Sequence, residues 1–149
     1  MSKRRLTVAS MILMIHNVVL FLWGLFWIIL PERIISVSFQ SFLGRGWDDF
    51  ITSNADIARF IDYHGQLLGI QFVILSIVIT AITLTAYKKG EKWSWIVIAI
   101  CSTIGWICAA AFDVIMGVMP ALLLEIIPLI VVFCSLIISA KPAFSHVKK

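Results

Sequence analysis

Four stretches of this chain are too long and too apolar to be accommodated in water. They cover residues 10–30, 64–87, 94–116 and 121–140. A helix of about 20 residues crosses the roughly 30 Å hydrocarbon core of a bilayer, and each stretch meets that length. Hydrocarbon offers no partner to open backbone groups, and the alternation of a barrel strand is absent, so each span is expected to be helical. The balance of residue types agrees. Of 149 residues, 61% are hydrophobic and 13% charged, against about 45–50% and 25% in a soluble domain. So short a chain leaves much of its surface outside any single core, which argues against a water-soluble globule. Disorder and a disulfide-stapled module are disfavoured as well. The expected fold class is all-α: one membrane domain of four helices in a bundle.

The connections carry helix-stop signals. Pro31 follows the first span, Lys88-Lys89-Gly90 closes the second, and Gly117-Val118-Met119-Pro120 makes a tight turn before the fourth. Pro128 lies inside the fourth span, where a kink is expected. The N-terminal apolar run continues too far past Arg5 for a secretory h-region and reads as an uncleaved span. Nine of the twelve Lys and Arg fall on one side of the membrane: Lys3, Arg4, Arg5, Lys88, Lys89, Lys92, Lys141, Lys148 and Lys149. Arg33, Arg45 and Arg59 fall on the other, outnumbered there by Glu32, Asp48, Asp49, Asp56 and Asp62. The positive-inside rule then places both termini and the 88–93 loop in the cytoplasm of a cell-membrane protein. Trp93, Trp95, Trp27 and Tyr63 fit the interfacial aromatic belts.

Residues 31–63 form the one sizeable outer connection. Ile34, Ile35, Val37, Phe39, Phe42 and Leu43 make it too apolar for a solvated linker, so it is expected to be partly helical and to lie on the membrane surface or cap the bundle. Gly44-Arg45-Gly46 breaks it. Ser53, with Asp56 three residues on, reads as an N-cap opening one long helix that continues into the second span.

Ionisable residues within a membrane are costly and are candidate sites by default. Asp113 near the end of the third span and Glu125 in the second turn of the fourth both fall within about 10 Å of the outer boundary. His64, Gln66 and Gln71 occupy the outer half of the second span, and Arg59 precedes it. Asp113 and Glu125, with His64, are the candidate acid–base groups. Two carboxylates brought together keep one proton readily, which suits proton transfer. The competing reading has each acid snorkelling to the interface or pairing with an arginine. A zinc site from His64, Asp113 and Glu125 needs contacts that no spacing guarantees, and no metal or cofactor is expected. His16-Asn17 lies some two turns into the first span, with Thr80, Thr83, Ser102 or Thr103 as candidate partners for packing or ligand contact. Gly65 and Gly69 form a GxxxG, and Cys101, Gly105 and Ala109 a second small-residue stripe. Both stripes are expected to pack helices within the bundle, with dimerisation through the second span as the alternative. Cys101, Cys108 and Cys134 all lie inside apolar runs, are odd in number and form no Cys-x-x-Cys, so they read as small packing residues.

No phosphate-binding glycine loop, nucleophile elbow or HExxH occurs. The basic clusters are short and juxtamembrane, which suits anionic headgroups and not nucleic acid. The stretch Tyr87-Lys88-Lys89-Gly90-Glu91-Lys92-Trp93-Ser94-Trp95, preceded by Arg59 and Gly65, resembles small prokaryotic four-helix membrane proteins, DoxX-like and related, of unknown function. The four-span layout extends that resemblance over most of the chain. A looser similarity joins it to the EXPERA group of sterol isomerases and sterol-binding proteins, whose intramembrane acidic residues sit elsewhere along their helices. Neither resemblance carries a functional residue across.

The functional expectation is therefore a non-catalytic multi-pass protein, an accessory or assembly factor or a binder of a lipid-like molecule. A membrane enzyme using Asp113 and Glu125 on a hydrophobic substrate is one alternative, and a small oligomeric transporter the other. The expected partners are membrane lipids, a hydrophobic small molecule, and a second copy or another membrane protein.

Overall fold

A computed structural model describes residues 2–144; Lys148 and Lys149, counted above on the basic side, lie outside the described residues. Six α-helices follow in order: α1 (Ser2–Ile29), α2 (Pro31–Leu43), α3 (Trp47–Ser53), α4 (Ala55–Thr85), α5 (Lys92–Met116) and α6 (Met119–Phe144). A single 3₁₀ turn over Tyr87–Lys89 joins α4 to α5. No strand is present among the described residues. α1, α4, α5 and α6 are each long and apolar enough to cross a membrane, and the protein is a four-span helical membrane bundle.

The helix boundaries follow local chemistry. α1 already begins at Ser2, so residues 2–9, basic at their start, extend the first span by two turns. Pro31 opens α2 at a position where its missing N–H costs nothing. Gly44, Gly90 and Gly117 close α2, the 3₁₀ turn and α5 in the left-handed region, with φ of 65°, 80° and 71°. The expected N-cap is displaced by one residue. Ser53 is the last residue of α3, and Asn54 precedes α4 without a side-chain cap bond, its Nδ2 donating instead to the Phe50 carbonyl at 3.4 Å. A short helix that α3 completes at Ser53 takes away the extended backbone a capping serine needs. Asp56 still sits in the first turn of α4, where the helix dipole favours it.

At 31 residues α4 is about 46 Å long. Its first turns therefore project beyond the hydrocarbon core, where they meet α2 and α3. Ile35, Trp47 and Ala58 form a small apolar cluster there, lined by Trp27, Phe39, Phe50, Ile51 and Ile61. The 31–63 connection is thus a two-helix cap, as its apolar content implies.

Within the bundle α1 occupies the central position, packed along α4 on one side and α6 on the other, and α5 packs against α6. α4 and α5, consecutive in sequence, touch little. The main core gathers Ala9, Leu13, Ile79, Tyr87, Ile98, Val132 and Leu136. Large apolar side chains such as Ile15, Ile29, Ile115 and Ile137 remain more than three-fifths exposed on the outside. That arrangement is stable only where lipid covers them. In lipid no hydrophobic force drives helix onto helix, so close packing and interhelical hydrogen bonds must hold the spans together.

Candidate functional site

Three features that tie the spans together involve α1. Near the acidic end, Gly24 of α1 meets Gly69 of α4 backbone to backbone. One turn away, Gly65 faces the Trp27 ring and Ile35. The GxxxG of the second span therefore packs within the chain. Gly105 does not: it is exposed, and a Cβ built there meets nothing within 4 Å. The expectation that Gly105 packs the bundle is corrected, because α5 turns its Cys101–Gly105 face away from α6 toward lipid. Cys101 and Cys108 of α5 and Cys134 of α6 are exposed as well, so the expectation that the cysteines are packing residues is corrected too.

At the basic end, the Tyr87 hydroxyl contacts Ser139 Oγ at 2.6 Å and Ser135 Oγ at 3.0 Å, and Ser135 Oγ donates to the Ala9 carbonyl at 3.0 Å. The knot ties the α4–α5 turn to α6 and α6 to α1. Trp95 Nε1 adds a bond from α5 to the Leu136 carbonyl at 3.0 Å. Sequence reading missed this set. Its only signal is Ser135-x-x-x-Ser139, two hydroxyls on one face of an apolar span.

His16 and Asn17 are buried, at 5% and 1% exposed, in the middle of α1. Their partner is none of the threonines or serines expected. Trp106 Nε1 donates to His16 Nε2 at 3.2 Å from the middle of α5. Nε2 is then the acceptor, which places the ring proton on Nδ1, where it donates to Asn17 Oδ1 at 3.3 Å. This bond links α1 directly to α5, two helices whose backbones hardly meet. Asn17 Nδ2 and Ser102 Oγ are buried without a partner. Thr83 is occupied by the Ile79 carbonyl of its own helix at 2.7 Å.

The carboxyls of Asp113 and Glu125 lie against each other across the short α5–α6 turn. Asp113 Oδ2 and Glu125 Oε2 are buried and take no hydrogen bond from any other described group. Two carboxyls side by side are the group composition that proton transfer uses. His64 is on α4, exposed, its Nδ1 donating to the Phe60 carbonyl at 2.9 Å and its ring against Phe60. Arg59, Gln66 and Gln71 are likewise exposed on α4. Among the described residues no three His, Cys, Asp or Glu come together to hold a metal ion, so the zinc constellation of His64, Asp113 and Glu125 does not form. α1 lies between α4 and the α5–α6 pair and keeps His64 on the far side.

Two grooves flank the first turns of α1. One, of about 290 Å³, is lined by Thr7, Ser10, Met11, Met14 and Ile15 of α1, Leu84 of α4 and Lys88 of the turn. The other, of about 250 Å³, lies between α1 and α6 and is lined by Arg4, Arg5, Val8 and Ile138. The first is mainly apolar and has one basic residue, Lys88, whereas the second is lined equally by arginine and apolar side chains.

No family model matches the chain, nor does any curated protein or solved structure.

Proposed function

We propose that this protein is a non-catalytic multi-pass component of the cell membrane, with its basic end in the cytoplasm, that binds a lipid-like molecule in an accessory or assembly role. The observation that carries the reading is the α1–α4 groove, apolar along its length and cationic at one end. Its volume of about 290 Å³ is close to the lower bound of roughly 300 Å³ for ligand sites. Such a trough suits a chain lying in a seam between helices. Extraction in mild detergent followed by native mass spectrometry is expected to show lipid retained on the folded chain. A protein that keeps its helical content yet carries no lipid from its membrane would overturn the reading. Kinship with DoxX-like proteins is part of the same proposal and adds no residue to it.

A second reading is favoured by the Asp113–Glu125 contact, which would serve a membrane enzyme or an ion path as proton donor and acceptor. Among the described residues no histidine, cysteine or third acid joins the pair, and this is why it ranks second.

A further inference from the structure

We infer that the α1–α4 groove is a site for an anionic phospholipid, with the headgroup phosphate at Lys88 and an acyl chain over Met11, Met14 and Ile15. The assignment rests on the lipid-binding reading above and names the class of lipid. From Thr7 to Ile15 the groove runs about 12 Å along α1, at 1.5 Å per residue. Met11 and Ile15 are 60% and 65% exposed, so the trough opens sideways to the bilayer and a lipid enters without unfolding anything. Its two hydroxyls are already occupied. Thr7 donates to the Lys3 carbonyl at 3.0 Å and Ser10 to the Leu6 carbonyl at 2.7 Å, both within α1. The walls therefore ask for hydrocarbon, and the Lys88 ammonium is the one cationic group at the rim of the groove.

Charge complementarity selects the headgroup. Seven described basic residues stand at this end of the molecule, and Glu91 is the one acid among them. The Glu91 carboxylate accepts from Trp93 Nε1 at 2.6 Å, which keeps it turned to its own segment. A phosphate with net negative charge gains from that field and from Lys88, whereas a zwitterionic headgroup brings a compensating cation into an end of the molecule already rich in them. Basic pockets between spans at the cytoplasmic face are recognised features of headgroup binding. Here the neighbouring groove repeats the arrangement with Arg4 and Arg5.

The test uses full-length protein in mild detergent, titrated with phosphatidylglycerol or phosphatidylcholine of matched chains and read by native mass spectrometry. Phosphatidylglycerol is expected to bind preferentially. Lys88→Gln is expected to weaken it about fivefold, the value of one juxtamembrane cation. Lys89→Gln, also exposed but outside the groove, alters only the general field and is expected to weaken binding less than Lys88→Gln. Met14→Trp, which fills the trough, is expected to remove binding of either lipid. Equal binding of both lipids, lost together in Met14→Trp, would overturn the headgroup assignment and leave lipid binding standing. Loss that is the same for Lys88→Gln and Lys89→Gln would mean diffuse attraction to the basic surface and would also overturn it. Binding of neither lipid to the unaltered, folded chain would overturn both readings. Lys88 is exposed, so its variant folds and keeps the test decisive even where Met14→Trp fails to fold.

Discussion

Gly24 and Gly69 meet so closely that a Cβ on either would stand 2.8 Å or 2.7 Å from the other's carbonyl oxygen. No side chain can be accommodated there, because the obstacle is backbone on both sides. The contact explains why α4, with its long apolar surface, packs on α1 and not on α5, its successor in the chain.

Gly24→Ala and Gly69→Ala are therefore expected to force the helices apart and to cost about 1–3 kcal/mol each, as overpacking does. Gly65→Ala is expected to cost less, since its neighbours at 3.2 Å are the Trp27 ring and the tip of Ile35, which can shift. Gly105→Ala, facing open space, is expected to be neutral. Unfolding in mixed micelles read by circular dichroism ranks the four. Equal losses at Gly69 and Gly105 would refute the order.

The His16–Trp106 bond is the direct tie between α1 and α5. Trp106→Phe is expected to leave His16 Nε2 without a donor. A double-mutant cycle with His16→Ala is expected to give a coupling near 0.6 kcal/mol, and no more than about 1.7, the range found for hydrogen bonds in membranes. A coupling of zero would show that the ring contact alone, with centroids 6.0 Å apart, carries the pair.

Tyr87→Phe is expected to cost more than a single such bond. Its hydroxyl is shared by Ser135 and Ser139, and two buried hydroxyls lose a partner together. A loss of about 1–2 kcal/mol is expected, with Ser139→Ala giving a smaller one. The same micelle unfolding measures both.

Asp113→Asn with Glu125→Gln removes the carboxyl contact while keeping shape. Under the lipid-binding function the double variant is expected to insert, to unfold no more easily than the original, and to retain phosphatidylglycerol as before. A folded double variant that no longer retains phosphatidylglycerol would move the functional site to the acid pair.

Orientation has its own measurement. In a chain with Cys101, Cys108 and Cys134 replaced by alanine, Arg45→Cys is expected to react with an impermeant maleimide on intact cells. Lys89→Cys is expected to react only after permeabilisation. The reverse pattern would overturn the cytoplasmic placement of the basic end.

The four spans, their turns at Gly90 and Gly117 and the helical cap were legible from local rules. Hydrocarbon imposes helix on any long apolar run, and glycine in the left-handed region ends one wherever it falls. Which neighbour each face meets was not legible. Gly65 and Gly69 announced a packing face by their spacing, whereas Gly24 stands alone in α1 and shows its role only once α4 lies across it. Gly105 shares a regular small-residue stripe and meets nothing. Trp106 pairs with a histidine 90 positions away, and no local pattern encodes that distance. Ser53 failed as a cap because α3, a seven-residue helix, took it first.

The sequence by itself determined the solvent, the helices and the sorting of charge to one end, because each follows from transfer free energy counted residue by residue along the chain. The tertiary structure alone decided that α1 is the hub, that Asp113 reaches Glu125 but not His64, and that an apolar groove with Lys88 at its rim opens beside Met11. Those depend on which helix faces which, and in lipid the choice is made by shape and hydrogen bonds between distant residues, not by hydrophobicity.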